Sequence, residues 1–473
     1  MTPAPAGSQQ GAPAGSRLGP LADIRATLWL AAPLAVSLLV EMAMGVAEYT
    51  MAGRLGAAAF AAAGFGAQVL YVPKILAMGA LYSVAALGSH AHGAGKLDEL
   101  LRIMRQGLRL ATFLSLPVML LMLAVGPILR WLAERNPGFE IDIAAIEHLL
   151  WWALPSVPAF LWFQVLRSFV TVLGRPVAVT VIGLVILPVF VAILWVLMYG
   201  ALGWGGMGVP AIGLATTLIC WLQFGLGVLY VRRASPFSNY AIFAHLRQSD
   251  ARLLRDMLIV GAPIAGAYLF ETGMFFGSTA AMAGFGTASL AAHNIVLSVS
   301  SVTFMIPYAL GQAGTVRAGH ALGAGRPHDA RQAGFTAIGL ALVWMLFGAL
   351  IMWWAPIWLS GFYLDLHDIG NAAALAVVVT LFPIAAIFQF FDGLQVSALG
   401  VLRGYKDTRV PMLIAFVGYW VLGVGGGITL AYGFEVRGPG VWWGLAIGLA
   451  ASGTMLLLRF AHLSRHHLRA ATV

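Results

Sequence analysis

The chain has 473 residues, 60% of them hydrophobic and only 10% charged, and its mean hydropathy is +0.88. Soluble domains carry charge on about a quarter of their residues, so this composition excludes a soluble globular protein and points to an integral membrane protein. The single cysteine, Cys220, excludes an intrachain disulfide framework. The formal net charge of +9 sits at the ends of apolar runs rather than in any RNA- or DNA-binding motif, so no nucleic-acid partner is expected.

Residues 1–22 are rich in Ala, Gly, Pro and Ser, lack the basic-then-apolar order of a secretory signal, and are expected to form a disordered cytoplasmic tail. Apolar runs long enough to cross a bilayer follow at 27–53, 57–88, 106–133, 145–171, 176–202 and 207–231. Six more follow at 256–284, 288–318, 332–361, 371–401, 410–433 and 439–462. The runs are continuous and about twice strand length, which excludes a β-barrel and predicts an all-α fold of twelve transmembrane helices. The expected division is an N-terminal lobe at 23–231, a linker at 232–255 forming an amphipathic surface helix, a C-terminal lobe at 256–463 and a tail at 464–473.

With both termini on one side, that side collects most of the basic residues. Among them are Arg102, Arg105 and Arg109, Arg232 and Arg233, Arg317 and Arg326, and Arg403, Lys406 and Arg409. The opposite side receives only Arg54, Arg130, Arg135 and Arg437. This bias predicts a multi-pass protein of the bacterial inner membrane with both termini cytoplasmic.

The two halves resemble one another. PLAVSLLVE (33–41) answers PIAGAYLFE (263–271), and His90 in SHAHGAGKLD answers His320 in GHALGAGRPHD, each at an offset of 230. On that register Glu41 is the partner of Glu271. Six helices per half keep the same orientation, so the halves are expected to be parallel pseudo-symmetric bundles, an architecture of transporters.

The same segments carry a resemblance. MGVAEYTMAGRLG (44–56), FETGMFFGSTAAMAGFGTASLAAHNI (270–295), FQFFDGLQVSALGVLRGYKD (388–407) and GYWVLGVGGG (418–427) resemble the NorM-type multidrug and toxin extrusion (MATE) transporters, over about residues 25 to 462. The resemblance implies a V-shaped pair of six-helix bundles and export of cationic, often aromatic compounds against an inward flow of Na⁺ or H⁺. It also places Glu48, Glu271 and Asp392 at family acid positions, with Gln389 and Arg403 at further family positions. Two departures remove oxygen ligands for a hard cation: Phe388 stands where Na⁺-coupled relatives have Tyr, and FVAILWVLMYG (190–200) lacks the Asn of many relatives. They favour H⁺ as the coupling ion, with Na⁺ at Glu271 and Asp392 as the alternative. No cofactor, resident metal or enzymatic activity is expected, and the protein is expected to be a monomer.

Six ionisable residues fall well inside the spans: Glu41, Glu48, Lys74, Arg167, Glu271 and Asp392. Such residues are costly in lipid and mark functional sites by default. Withdrawal from water favours the neutral form of a carboxylic acid. Glu271 and Asp392 can therefore be neutral when loaded with a proton and anionic when facing a cationic drug; the bland alternative is a structural hydrogen bond. Glu48 is expected to be an N-lobe proton or substrate site, or a carboxylate solvated in the mouth. Glu41 is either a cavity acid or the partner of a buried base. Lys74 is expected to pair with Glu41 or Glu48, and Arg167 to reach the cytoplasmic interface from the end of the fourth span. Tyr268, Phe270, Phe275, Phe388 and Gln389 surround the C-lobe acids in sequence and are the expected wall for flat cations, although helix packing accounts for many aromatics equally well. His90 and His320 read as caps or loop contacts, and neither has metal ligands at suitable spacing. The rivals to drug export are flipping of a lipid-linked precursor, which calls for a basic cavity, and a membrane-embedded enzyme, for which no HExxH or GxSxG motif is present.

Overall fold

A computed structural model describes residues 19–135, 142–200, 205–235, 237, 240, 242–243 and 248–471. The N-terminal half contains α1 (Pro20–Gly53), α2 (Ala57–Gly93), α3 (Leu97–Arg135), α4 (Ile143–Ala153), α5 (Ser156–Val172), α6 (Val177–Tyr199) and α7 (Pro210–Arg233). The C-terminal half contains α8 (Ala251–Ala283), α9 (Thr287–Gly323), α10 (Pro327–Trp354), α11 (Pro356–Ser360) and α12 (Ala372–Gly404). It then continues as α13 (Arg409–Phe416), whose axis runs on through π-helical turns and the short α14 (Gly426–Ile428) to Gly433, and ends with α15 (Gly438–Ala470). Eleven helical spans among the described residues are long and apolar enough to cross a membrane, and the bent pair α4–α5 makes twelve.

Residues 1–18 of the expected disordered tail lie outside the described residues, as do eight residues of the 232–255 linker (236, 238, 239, 241 and 244–247). The described linker residues do not form the expected amphipathic surface helix: α7 ends at Arg233, no continuous helix follows among the described residues before α8, and Phe237 and Ile242 turn inward and are buried against the N-terminal core. Residues 251–255 already belong to α8. The expected C-terminal tail is helical through Ala470, because LSRHHLRA contains no breaker and its basic side chains suit the negative end of the helix dipole.

The fourth span is broken by 48°. Pro155 lacks the N–H that would continue the ladder, and α4 stops at Ala153. Two carbonyls at the break take donors from α7: Thr217 Oγ1 donates to the Trp152 carbonyl at 2.5 Å and Trp221 Nε1 to that of Pro155 at 3.0 Å. Inside a bilayer each such group would otherwise be orphaned at several kcal/mol.

Helices in lipid gain little from burying apolar surface and rely on close packing. Gly440, Gly444 and Gly448 recur every four residues along one face of α15 and press on the backbone of the preceding span, Gly440 at Ala431, Gly444 at Gly427 and Gly423, and Gly448 at Gly423 and Gly418, leaving no space for a Cβ. The five-residue step from Gly418 to Gly423 lies within the π-helical turn (Val417–Gly425). Widening the helix there keeps both glycines facing α15.

One large apolar core is drawn mainly from α1–α7, with Met257, Leu310, Ala313, Val316 and Ala341 of α8, α9 and α10 packed into it, and the C-terminal half packs around two further clusters of its own. A smaller mixed cluster, including Leu34, Leu38, Ile264, Tyr268 and Tyr308, joins the two bundles.

Candidate functional site: a cavity between two bundles

The bundles enclose a cavity of about 530 Å³. Its walls follow the 230-residue repeat. Both members of the pairs Leu38 and Tyr268, Glu41 and Glu271, Gly45 and Phe275, Tyr71 and Ser301, Lys74 and Phe304, and Met78 and Tyr308 line it. Equivalent faces of α1 and α8, and of α2 and α9, therefore form the two sides.

Three acids (Glu41, Glu48 and Glu271) and two bases (Lys74 and Arg403) reach the wall. Glu48 is buried on α1, with Tyr71 and Thr216 beside it. The expected ion pairs take a different form. Lys74 makes no salt bridge to Glu41 or Glu48; its Nζ donates to Ser156 Oγ at 2.8 Å and lies over the Phe160 ring, while acting electrostatically on Glu48. The break at Pro155 exposes Ser156 to it. Arg167 does not reach an aqueous interface: it is buried, and its Nη1 donates to Glu41 Oε1 at 2.6 Å. Glu41 is the partner of a buried base, but the base is Arg167.

In the C-terminal bundle, Glu271, Tyr268 and Phe275 line the cavity. Asp392, Phe270, Phe388 and Gln389 do not. Asp392 is buried in α12, within electrostatic range of Glu271 and of Tyr419, whose hydroxyl accepts from Gln395 Nε2. Phe388 packs edge-on against Phe275 and Trp442. Phe270 packs on Phe416, and Gln389 is fully buried beside Gly348. Phe270 is adjacent to cavity-lining Glu271 but points elsewhere around the helix, because only residues three or four apart share a face; α12 meets the cavity only further along, at Val396, Leu399 and Arg403.

Below the cavity the bundles are joined on the side that carries the chain termini. Tyr308 hydroxyl shares hydrogen bonds with Tyr82 at 2.7 Å and Tyr268 at 2.8 Å. Arg403 donates to Tyr268 hydroxyl at 3.2 Å and lies over the Tyr82 and Tyr268 rings. Nearer the termini, Arg317 on α9 binds Asp23 and Thr27 on α1. Gly93 and Gly323 each press against the backbone of the other half's histidine, His320 and His90 respectively, and His90 Nε2 lies 2.8 Å from the Gly404 carbonyl. The histidines expected to be caps are thus part of the junction between bundles.

Arg403 was expected among the charges of the connection after the tenth span. It is instead buried at the cavity floor, because α12 stays helical to Gly404 and presses that glycine onto the Thr315 carbonyl. Tyr82 and Tyr308 were not singled out from sequence. The available signal was the repeat register, which sets Tyr308 opposite Met78. Among the described residues, no three His, Cys, Asp or Glu side chains converge as metal ligands.

The family model MatE matches this chain twice, over residues 33–197 and 263–429, two stretches that begin 230 residues apart. A probable multidrug resistance protein NorM of Mesorhizobium japonicum is 36% identical over 452 residues, covering 94% of each chain. A probable multidrug resistance protein NorM of Burkholderia mallei is 36% identical over 439 residues, covering 92% of each. The crystal structure of the eukaryotic MATE transporter AtDTX14 superposes with a TM-score of 0.82 at 20% identity, covering 96% of this chain and all of that one.

Proposed function

The chain belongs to the MatE family, and from that premise we propose that it is a secondary multidrug exporter, exchanging an inward-moving cation for amphiphilic organic cations by alternating access. One observation carries the reading. Glu271 stands on the wall of a large, mostly apolar cavity lined by aromatic and methionine side chains, with no basic group within ion-pair distance among the described residues. An acid in that setting can bind either a proton or a cationic drug, and competition between the two is the minimum chemistry of antiport. Asp392, behind the wall, would share the coupling, with Glu48 as an N-terminal counterpart.

H⁺ is the preferred coupling ion. Phe388, buried between Phe275 and Trp442, offers no oxygen to a hard cation beside Asp392. The joined bundles on the terminus-bearing side fit one of the two states that alternation requires. The charge bias of the connections favours cytoplasmic termini in the bacterial inner membrane, which would make this the outward-open state. The protein would act as a monomer, since the cavity is completed within one chain. Lys74 and Arg403 on the same wall favour a second reading of the cargo, in which a zwitterion sets its carboxylate against them.

The test is uptake of a fluorescent cation into proteoliposomes under an imposed pH or Na⁺ gradient. Accumulation against concentration under the pH gradient is expected. Accumulation under a Na⁺ gradient at fixed pH would reverse the ion preference, and no response to either gradient would overturn antiport.

A further inference from the structure

A second, smaller cavity of about 30 Å³ lies beneath the first, between the bundles. Arg167 and Thr171 of α5 and Tyr82 of α2 line it from one half; Gln312 and Thr315 of α9 and Arg403 of α12 line it from the other. Its walls are rich in hydrogen-bond donors without partners. Arg167 is 6% exposed and Thr171 5%, yet Arg167 Nη2 and Thr171 Oγ1 have no hydrogen-bond partner; nor has Gln312 Nε2. Thr315 Oγ1 is already committed to the Gly400 carbonyl.

The charge is also uneven. Among the described residues Arg167 has one carboxylate, Glu41, within 4 Å and Arg403 has none; Arg403 hydrogen-bonds the Tyr268 hydroxyl and lies over the Tyr82 and Tyr268 rings. Glu271, on the wall of the upper cavity, acts on Arg403 through space without an ion pair among the described residues. One positive charge in excess therefore borders a space with room for one or two water-sized particles. Gln164 and Ser168 also line the pocket, so neutral oxygens are present, but the two guanidiniums bring donors and no acceptor, and a neutral water leaves the excess charge unbalanced where an anion would not. A monatomic anion matches this space more closely than a tetrahedral oxyanion does.

We propose that this pocket binds a monatomic anion of chloride's size, held by Arg167, Arg403, Thr171 and Gln312, and that the ion clamps the bundles together on the terminus-bearing side. Both bundles supply donors, so their separation would dismantle the site. The proposal stands independently of the exporter reading.

The full-length protein in nanodiscs should bind radioactive chloride saturably, one ion per chain, with bromide competing and sulfate or gluconate not. Its melting temperature should be higher in chloride than in gluconate at equal ionic strength. Thr171→Val and Gln312→Leu should each weaken binding about tenfold, the value of one charge-assisted hydrogen bond, and Arg403→Gln should abolish it. If Arg403→Gln does not fold, the two neutral variants carry the test. Spin-label distances between the bundles on the terminus-bearing side should shorten in chloride. Equal melting temperatures with no saturable binding would mean that the pocket holds water only and would overturn the site. Binding without any change in the distance distribution would overturn the clamp.

Discussion

Glu41 and Glu271 occupy the same position in two copies of one bundle, line the same cavity, and have different surroundings. Glu41 is held by the buried guanidinium of Arg167 at 2.6 Å. Glu271 has Phe275, Thr272 and Tyr268 around it, Asp392 behind it, and no ion-pair partner among the described residues. A duplicated fold thus supplies two equivalent carboxylates, and the neighbouring helices decide which is tied into an ion pair and which has no such partner among the described residues. The same division runs through the next repeat pair: Lys74 anchors to Ser156 at the helix break, whereas its counterpart Phe304 presents only a ring.

The largest expected effect separates these two acids. Glu271→Gln removes the exchangeable site and should reduce gradient-driven transport to background, while the protein still folds and inserts. Glu41→Gln should keep transport within about threefold of wild type and lower stability instead. The loss of a charge-assisted bond to a buried guanidinium costs about 2 kcal/mol, which thermal melting in detergent would detect. Equal transport defects would erase the distinction between the repeats.

Next in size is the floor beneath them. Tyr308→Phe removes a hydroxyl shared with Tyr82 and Tyr268. At about 1 kcal/mol per hydrogen bond, the population closed on the terminus-bearing side should fall by roughly tenfold relative to the opposite state. Distance measurements between spin labels on α2 and α9 would record the shift. Unchanged distances would show that the tyrosines only pack.

The smallest effect concerns cargo. Lys74→Met should leave transport of a simple organic cation within about threefold, and lower the preference for a zwitterion over that cation by about tenfold, since a buried ionic partner for the carboxylate is lost. Competition assays with a matched pair differing only in one carboxyl group would measure it.

The spans and the repeat could be read from the chain because hydropathy and register are local properties. PLAVSLLVE and PIAGAYLFE lie 230 residues apart, and so do the starts of the two family-model matches. The wall of the cavity was less accessible. Phe270 stands next to cavity-lining Glu271 in sequence, yet its position around the helix turns it to Phe416; Phe388 and Gln389 lie two turns from Val396, where α12 first meets the cavity. The partners of the charges were hardest to foresee. Arg167 reaches Glu41 across 126 residues, and Lys74 finds Ser156 only because Pro155 breaks the fourth span. Arg403 was grouped with loop charges because it is followed closely by Lys406 and Arg409. Its burial depends on how Gly404 packs on α9, which charge counting does not register.

We propose that the C-terminal carboxylate, not its N-terminal twin, couples the ion to the drug. The most direct measurement compares wild type, Glu271→Gln and Glu41→Gln in proteoliposomes, monitoring proton movement and uptake of a fluorescent cation together under one pH gradient. The account predicts coupled flux in wild type and Glu41→Gln, and neither flux in Glu271→Gln. Full coupled exchange by Glu271→Gln, or its loss in Glu41→Gln alone, would contradict it.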